Sequence, residues 1–247
     1  MSFTRQLEPE WLDQMQADDP RAVRVRRELR FVNAVMRNAQ CMASALRRAA
    51  CGRKPRAVLD LGSGDGRFML QVARQLAAGW PGVKVILHDR QNIVSQATKD
   101  GFAALRWPVE TVCADVFDLV TERRFPAVEV ITSNLFLHHF SDAQLPHLFA
   151  AAARSAWLVV ACEPRRAGFV VRASRLLRVV GCSNETVHDA VVSARAGFAG
   201  NELGALWPVS EGWELRERPA AFFTHCFTAR RVERTAADGP DKVRSAC

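Results

Sequence analysis

No stretch of this 247-residue chain is apolar for long enough to cross a membrane. The least interrupted apolar run, around Ala156 to Ala161, falls far short of the roughly 20 residues a span requires, and the opening MSFTRQLEPEWLDQ lacks the apolar core of a signal peptide. The expectation is a soluble, cytoplasmic protein. Paired cysteines are also missing: Cys41, Cys51, Cys113, Cys162, Cys182, Cys226 and Cys247 are scattered, odd in number and without a C-x-x-C, which argues against a disulfide framework and against a zinc site. Lysine is scarce, with only Lys54, Lys84, Lys99 and Lys242 among 34 basic residues. The net charge of +8 therefore rests on arginine, whose abundance reflects codon bias as readily as a nucleic-acid surface. There is no internal repeat.

What the chain does have is apolar side chains, 49% of the total, enough to bury one sizeable core. From Pro20 to Ala50 the spacing of Val25, Leu29, Val32, Met36, Met42 and Leu46 predicts helix, started by the Asp-Asp-Pro at 18–20. Its arginines Arg24, Arg27, Arg30 and Arg37 permit a membrane-surface role, although packing on the main domain is the plainer reading. Cys51 to Pro55 reads as a connector. Beyond it, short apolar runs (AVLDL, VKVILHD, ETVCADV, AVEVITSN, AWLVVACE) alternate with helix-length stretches at 66–78, 93–102 and 143–155. Strands apolar on both faces and separated by helices imply a parallel sheet covered on both sides. GWELRERP and AAFFTHCFTARRV suit an antiparallel pair at one edge. The expected organisation is an N-terminal helical segment over 1–54, a core over 55–235 with a helical insertion near 165–208 acting as a lid, and a frayed tail over 236–247.

In such a sheet, ligands bind beyond the carboxyl ends of the strands. The apolar runs end at Asp60, Asp89, Asp115 and Asn134, so three carboxylates and a carboxamide converge on one rim. The first run leads into VLDLGSGDGRF, where Gly62, Gly64 and Gly66 permit a tight strand-to-helix turn with bare backbone under a ligand. The spacing is neither G-x-G-x-x-G nor G-x-x-x-x-G-K-[ST], and Asp60 and Asp65 would repel a phosphate. A cofactor bearing an amine and a cationic centre suits the loop better. Asp65 itself reads as a helix cap, Asp118 as a turn residue before TERRF, and Glu129 as an exposed strand start.

This combination resembles the class I S-adenosylmethionine-dependent methyltransferases over roughly Arg56 to Arg165. The resemblance implies a Rossmann-like doubly wound sheet, mostly parallel with an antiparallel edge strand, and S-adenosyl-L-methionine as cofactor. It implies that Asp60 holds the cofactor's amino group, that Gly62, Ser63, Gly64 and Gly66 pass under the homocysteine, and that Asp89, followed by Arg90, takes the ribose hydroxyls. Asp115 would accept from the adenine amine, with Val116 as an apolar wall and Asn134 and Leu135 at the methyl-donor end. No metal is implied.

The acceptor side is less defined. His138 and His139 in NLFLHHFSD stand at the right rim to take a proton from a phenol, although L-H-H-F-x-D is common in this superfamily for packing and helix initiation. His188, beside Asp189, lies in the insertion and could face the acceptor or merely the surface. Phe31, Met36, Phe136, Phe169, Phe198 and Trp207 could line an apolar pocket or serve as core. HDAVVSARAGF…ELGALWP and EPEWLDQM…DDPRAV…ELRFVN resemble bacterial methyltransferases of polyketide and other secondary metabolism. These features predict methylation of a small, largely apolar acceptor, an oxygen on an aromatic or polyketide-like ring. The alternatives are a nucleic-acid methyltransferase, disfavoured by SNLF in place of an Asn-Pro-Pro-Tyr motif, and a cofactor-binding protein without chemistry. The oligomeric state is not readable from the sequence.

Overall fold

The computed structural model describes residues 3–123, 125–208 and 211–232. Seven strands, β1 (Ala57–Leu61), β2 (Lys84–Asp89), β3 (Val109–Cys113), β4 (Val130–Asn134), β5 (Leu158–Pro164), β6 (Trp213–Ala220) and β7 (Thr224–Arg231), form one sheet in the order 3-2-1-4-5-7-6. The first five are parallel, and β7 runs antiparallel to both β5 and β6. The chain order reverses between β1 and β4, which opens a crevice at their carboxyl ends. Glu129 fixes the other end of that pair: its carboxylate accepts from the backbone N–H groups of Arg56 and Ala57, each at 2.8 Å. It is thus a clasp between strands and not simply an exposed start.

Each face of the sheet carries its own core. One packs Met42, Leu46, Met69, Leu70, Phe102 and Trp107 against β1 and β2. These side chains come from α2 (Asn38–Ala50), α3 (Arg67–Leu76), α4 (Gln96–Ala104) and the turn before β3. The other gathers Leu145, Phe149, Phe198, Trp207 and Phe227 beneath α6 (Leu145–Ser155) and the insertion. Phe198 and Trp207 are therefore core, while Phe31 and Phe169 are 56% and 39% exposed, so the expected aromatic acceptor pocket is not assembled.

The helical stretch from Pro20 is broken in two. Helix α1 (Pro20–Met36) starts with Asp19 accepting from Arg21 N–H, and it ends at Arg37, whose φ of 55° reverses the chain into α2. Residues 3–19 are not helical apart from one 3-10 turn at Leu12–Gln14, and they run as a strap over the crevice side. Helix α5 (Val116–Thr121) follows β3 directly and contains Asp118, which therefore sits in a helix and not in a turn. The insertion forms α7 (Gly168–Leu176), α8 (Asn184–Ala196) and the short α9 (Glu202–Ala205). No helix among the described residues is long and apolar enough to cross a membrane. The tail at 236–247 lies outside the described residues.

Candidate active site

The loop after β1 is shaped by three left-handed glycines, with φ of 67°, 55° and 73° at positions 62, 64 and 66. Gly62 is constrained twice, because a Cβ there would also lie 2.3 Å from Phe136 Cδ2. Ser63 N–H donates to the His88 carbonyl at 2.9 Å, which pins the loop to β2. Gly64 N–H and Gln91 N–H then both donate to the Asp89 carboxylate, each at 2.9 Å.

A cavity of about 250 Å³ lies over this loop. Its floor includes Asp60, Gly62, Ser63, Gly64, Asp89, Arg90, Asn134 and Leu135, so eight of the expected cofactor residues converge. Asp60 is 2% exposed and accepts from Thr132 Oγ1 at 2.7 Å. Burial, helped by the charge of Asp89, pushes its carboxyl up to about 7 against that hydrogen bond. Ser63 Oγ and Asn134 Oδ1 are buried with no protein partner. Buried polar atoms seldom stay unpaired, and these two border the cavity, so the floor offers unmet hydrogen-bonding capacity to a polar ligand.

Three expected cofactor residues fall outside this lining. Asp115 turns its carboxylate onto Phe117 N–H at 2.8 Å and caps α5, Val116 is 2% exposed in the core beneath, and Gly66 serves the turn into α3. The β3 run ends two residues before Asp115, and the helix directly after it takes the carboxylate as its cap. Asp65 also acts as a cap, accepting from Arg67 N–H at 3.2 Å.

The roof is made by α1 and the strap, which bring Leu12, Asp13, Arg26, Leu29, Arg30 and Asn33 to the cavity. Arg5 anchors the strap. Its guanidinium donates to the carbonyls of Ala196, His138 and Phe140 at 2.7, 3.0 and 2.8 Å and pairs with Asp142 at 2.7 Å. Trp11 and Leu12 N–H donate to the buried Asp189. Glu10, also buried, faces His138 Nε2 at 3.2 Å and accepts from Ser193 Oγ.

The three candidate histidines belong to this scaffold, and none lines the cavity. His138 is sandwiched between Glu163, at 2.8 Å from Nδ1, and Glu10. Burial opposes its charge, yet the two carboxylates outweigh burial and raise its pKa to about 9. Both ring nitrogens of His138 thus face carboxylates and not the cavity. His139 directs Nδ1 to Asp13 Oδ2 at 3.2 Å, and His188 stacks on Trp11 at 3.9 Å while pairing with Asp189. Glu163, which the sequence reading passed over, is the hub: it also accepts from the N–H groups of Phe136 and Leu137 at 3.2 and 3.0 Å. The available signal was an acid ending a fifth run that is otherwise apolar throughout.

A 3-2-1-4-5-7-6 sheet with a glycine loop after β1 and acids near the ends of β1 and β2 is a Rossmann-like α/β fold. Residues 58–156 match a family model described as a methyltransferase domain. Three solved structures share the fold. The plantazolicin methyltransferase BpumL, in complex with SAH, has a TM-score of 0.61 at 13% identity, covering 89% of this chain and 94% of that one. An O-methyltransferase family protein from Burkholderia thailandensis has a TM-score of 0.57 at 19% identity, with 89% and 62% covered. Human N-acetylserotonin methyltransferase in complex with SAM has a TM-score of 0.53 at 15% identity, with 90% and 61% covered, so this chain spans less than two thirds of the last two. No curated protein sequence matches the chain.

Proposed function

We propose that the protein transfers a methyl group from S-adenosylmethionine to a small, largely apolar acceptor, at an oxygen of an aromatic or polyketide-like natural product. The reading is carried by the floor of the cavity, where Asp60, Asp89 and the unpaired Ser63 Oγ and Asn134 Oδ1 meet. A carboxylate has about four acceptor sites, so Asp89 can keep the Gly64 and Gln91 bonds and still receive two ribose hydroxyls. Asp60, once ionised, suits the cofactor's ammonium. The bare backbone at Gly62 and Gly64 lets the chain of the amino acid lie close. When bound, the sulfonium supplies an electrophilic methyl group for in-line displacement. The residues here contribute position and exclusion of water, and no histidine is assigned proton transfer. Leu12, Leu29, Phe68, Ile93 and Leu135 in the lining favour an apolar acceptor. The likeness in fold to an O-methyltransferase family protein is in keeping with oxygen as the acceptor atom, and that to a plantazolicin methyltransferase with methyl transfer in general.

Calorimetry with S-adenosylhomocysteine and with a nicotinamide dinucleotide tests the cofactor: heat with the first and none with the second is expected, and the reverse overturns the reading. Incubation with the methyl donor and a panel of phenols, amines and RNA, read by mass spectrometry, tests the acceptor. Methylated RNA, formed with a steep salt dependence, would favour a nucleic-acid enzyme instead.

A further inference from the structure

We propose that Glu10, His138 and His139 form a binding site for a divalent transition-metal ion of the zinc class, closed when the strap lies on the loop after β4. Donor atoms of Glu10, His138 and His139 lie within 4.8 Å of one another. Asp13 Oδ2 stands beside His139 Nδ1 at 3.2 Å, outside that set. Two imidazoles with one carboxylate, and a fourth position left to water, are a donor set that borderline-soft ions accept, whereas calcium and magnesium call for six or more oxygens.

The surroundings are those of a built site. Glu163 holds Nδ1 of His138 at 2.8 Å, fixing the ring so that Nε2 faces Glu10, and this carboxylate–histidine pairing is how metal-bound imidazoles are oriented. Ser193 Oγ donates to Glu10 and fixes its carboxylate in turn. Three carboxylates enclose the two rings. Of the nearby cations, Arg5 is taken up by Asp142 and backbone carbonyls, while Arg90 shares the Asp13 carboxylate at 3.8 Å. The scattered cysteines had argued against zinc, and this site uses none of them. It crosslinks strap residue 10 to loop residues 138 and 139, beside one wall of the cavity.

The experiment uses the full chain, stripped with a chelator and then given zinc or cobalt(II). About one ion per chain should survive desalting, the cobalt form should show visible d–d absorption of low-coordinate nitrogen and oxygen ligation, and thermal stability should rise with metal concentration. His139→Ala and Glu10→Gln should each weaken uptake at least about tenfold, and Glu163→Gln by about ten- to a hundredfold with the ligands intact. Circular dichroism of the metal-free variants separates lost ligation from lost folding. Failure of the wild type to take up stoichiometric metal overturns the site, as does uptake that survives both His139→Ala and Glu10→Gln. Binding of S-adenosylhomocysteine, measured on the same samples, keeps either failure distinct from failure of the proposed function.

Discussion

The floor and roof of the cavity are built from opposite kinds of sequence. The floor comes from β1, β2 and β4, and its residues stand at the ends of apolar runs or between closely spaced glycines. The roof comes from the first 36 residues, and its anchors are single side chains far from their partners: Glu10 and His138 are 128 positions apart, Arg5 and Ala196 are 191. One is a motif laid along the chain. The other exists only after folding, and the contrast predicts that floor substitutions act on ligand affinity and roof substitutions on stability.

The sharpest break should come at the hub between them. Glu163→Ala leaves a buried imidazolium and several N–H groups without their acceptor and should cost about 3–5 kcal/mol in chemical unfolding. A loss below about 1 kcal/mol would mean that the roof is not pinned through this residue. On the floor, Asp89→Ala should weaken S-adenosylhomocysteine binding by about a hundredfold, close to 2.7 kcal/mol, because charged acceptors are lost. Unchanged affinity in calorimetry would remove Asp89 from the site.

The third test uses acidity. Because burial raises the Asp60 carboxyl to about 7, affinity for the cofactor's ammonium should rise about tenfold from pH 6 to pH 8 as the group ionises. In the free protein the sign reverses: a raised carboxyl binds its proton more tightly folded than unfolded, so stability falls as pH climbs from the ordinary carboxylate range through 7. Asp60→Asn should flatten both profiles. The smallest effect is expected at Arg30→Ala, which removes an exposed 3.1 Å bridge from roof to floor at Asp65 and should shift stability by less than about 1 kcal/mol.

Much of the fold was legible because its signals are periodic or local. Alternating apolar runs gave the parallel order, and the late pair of runs became β6 and β7. Asp60 and Asp89 stood out as acids closing apolar strands. At Asp115 a strand-end acid also caps a helix, and capping a helix and receiving a ligand ask for the same residue at that place. His138 and His139 were conspicuous at the rim, but their role depends on Glu10, Asp13 and Glu163, whose pairing no spacing could reveal. The break at Arg37 was hidden because an amphipathic pattern persists across a single left-handed residue.

That break separates two helices secured by different forces. Helix α2 seats Met42, Ala43 and Leu46 in the main core, whereas α1 commits only Ala22 and Val25, and the two meet at one reversed residue. Where α2 is held by burial, α1 is held by polar ties: Glu28 accepts from Ser183 and Thr186 at the start of α8, and Arg30 reaches Asp65.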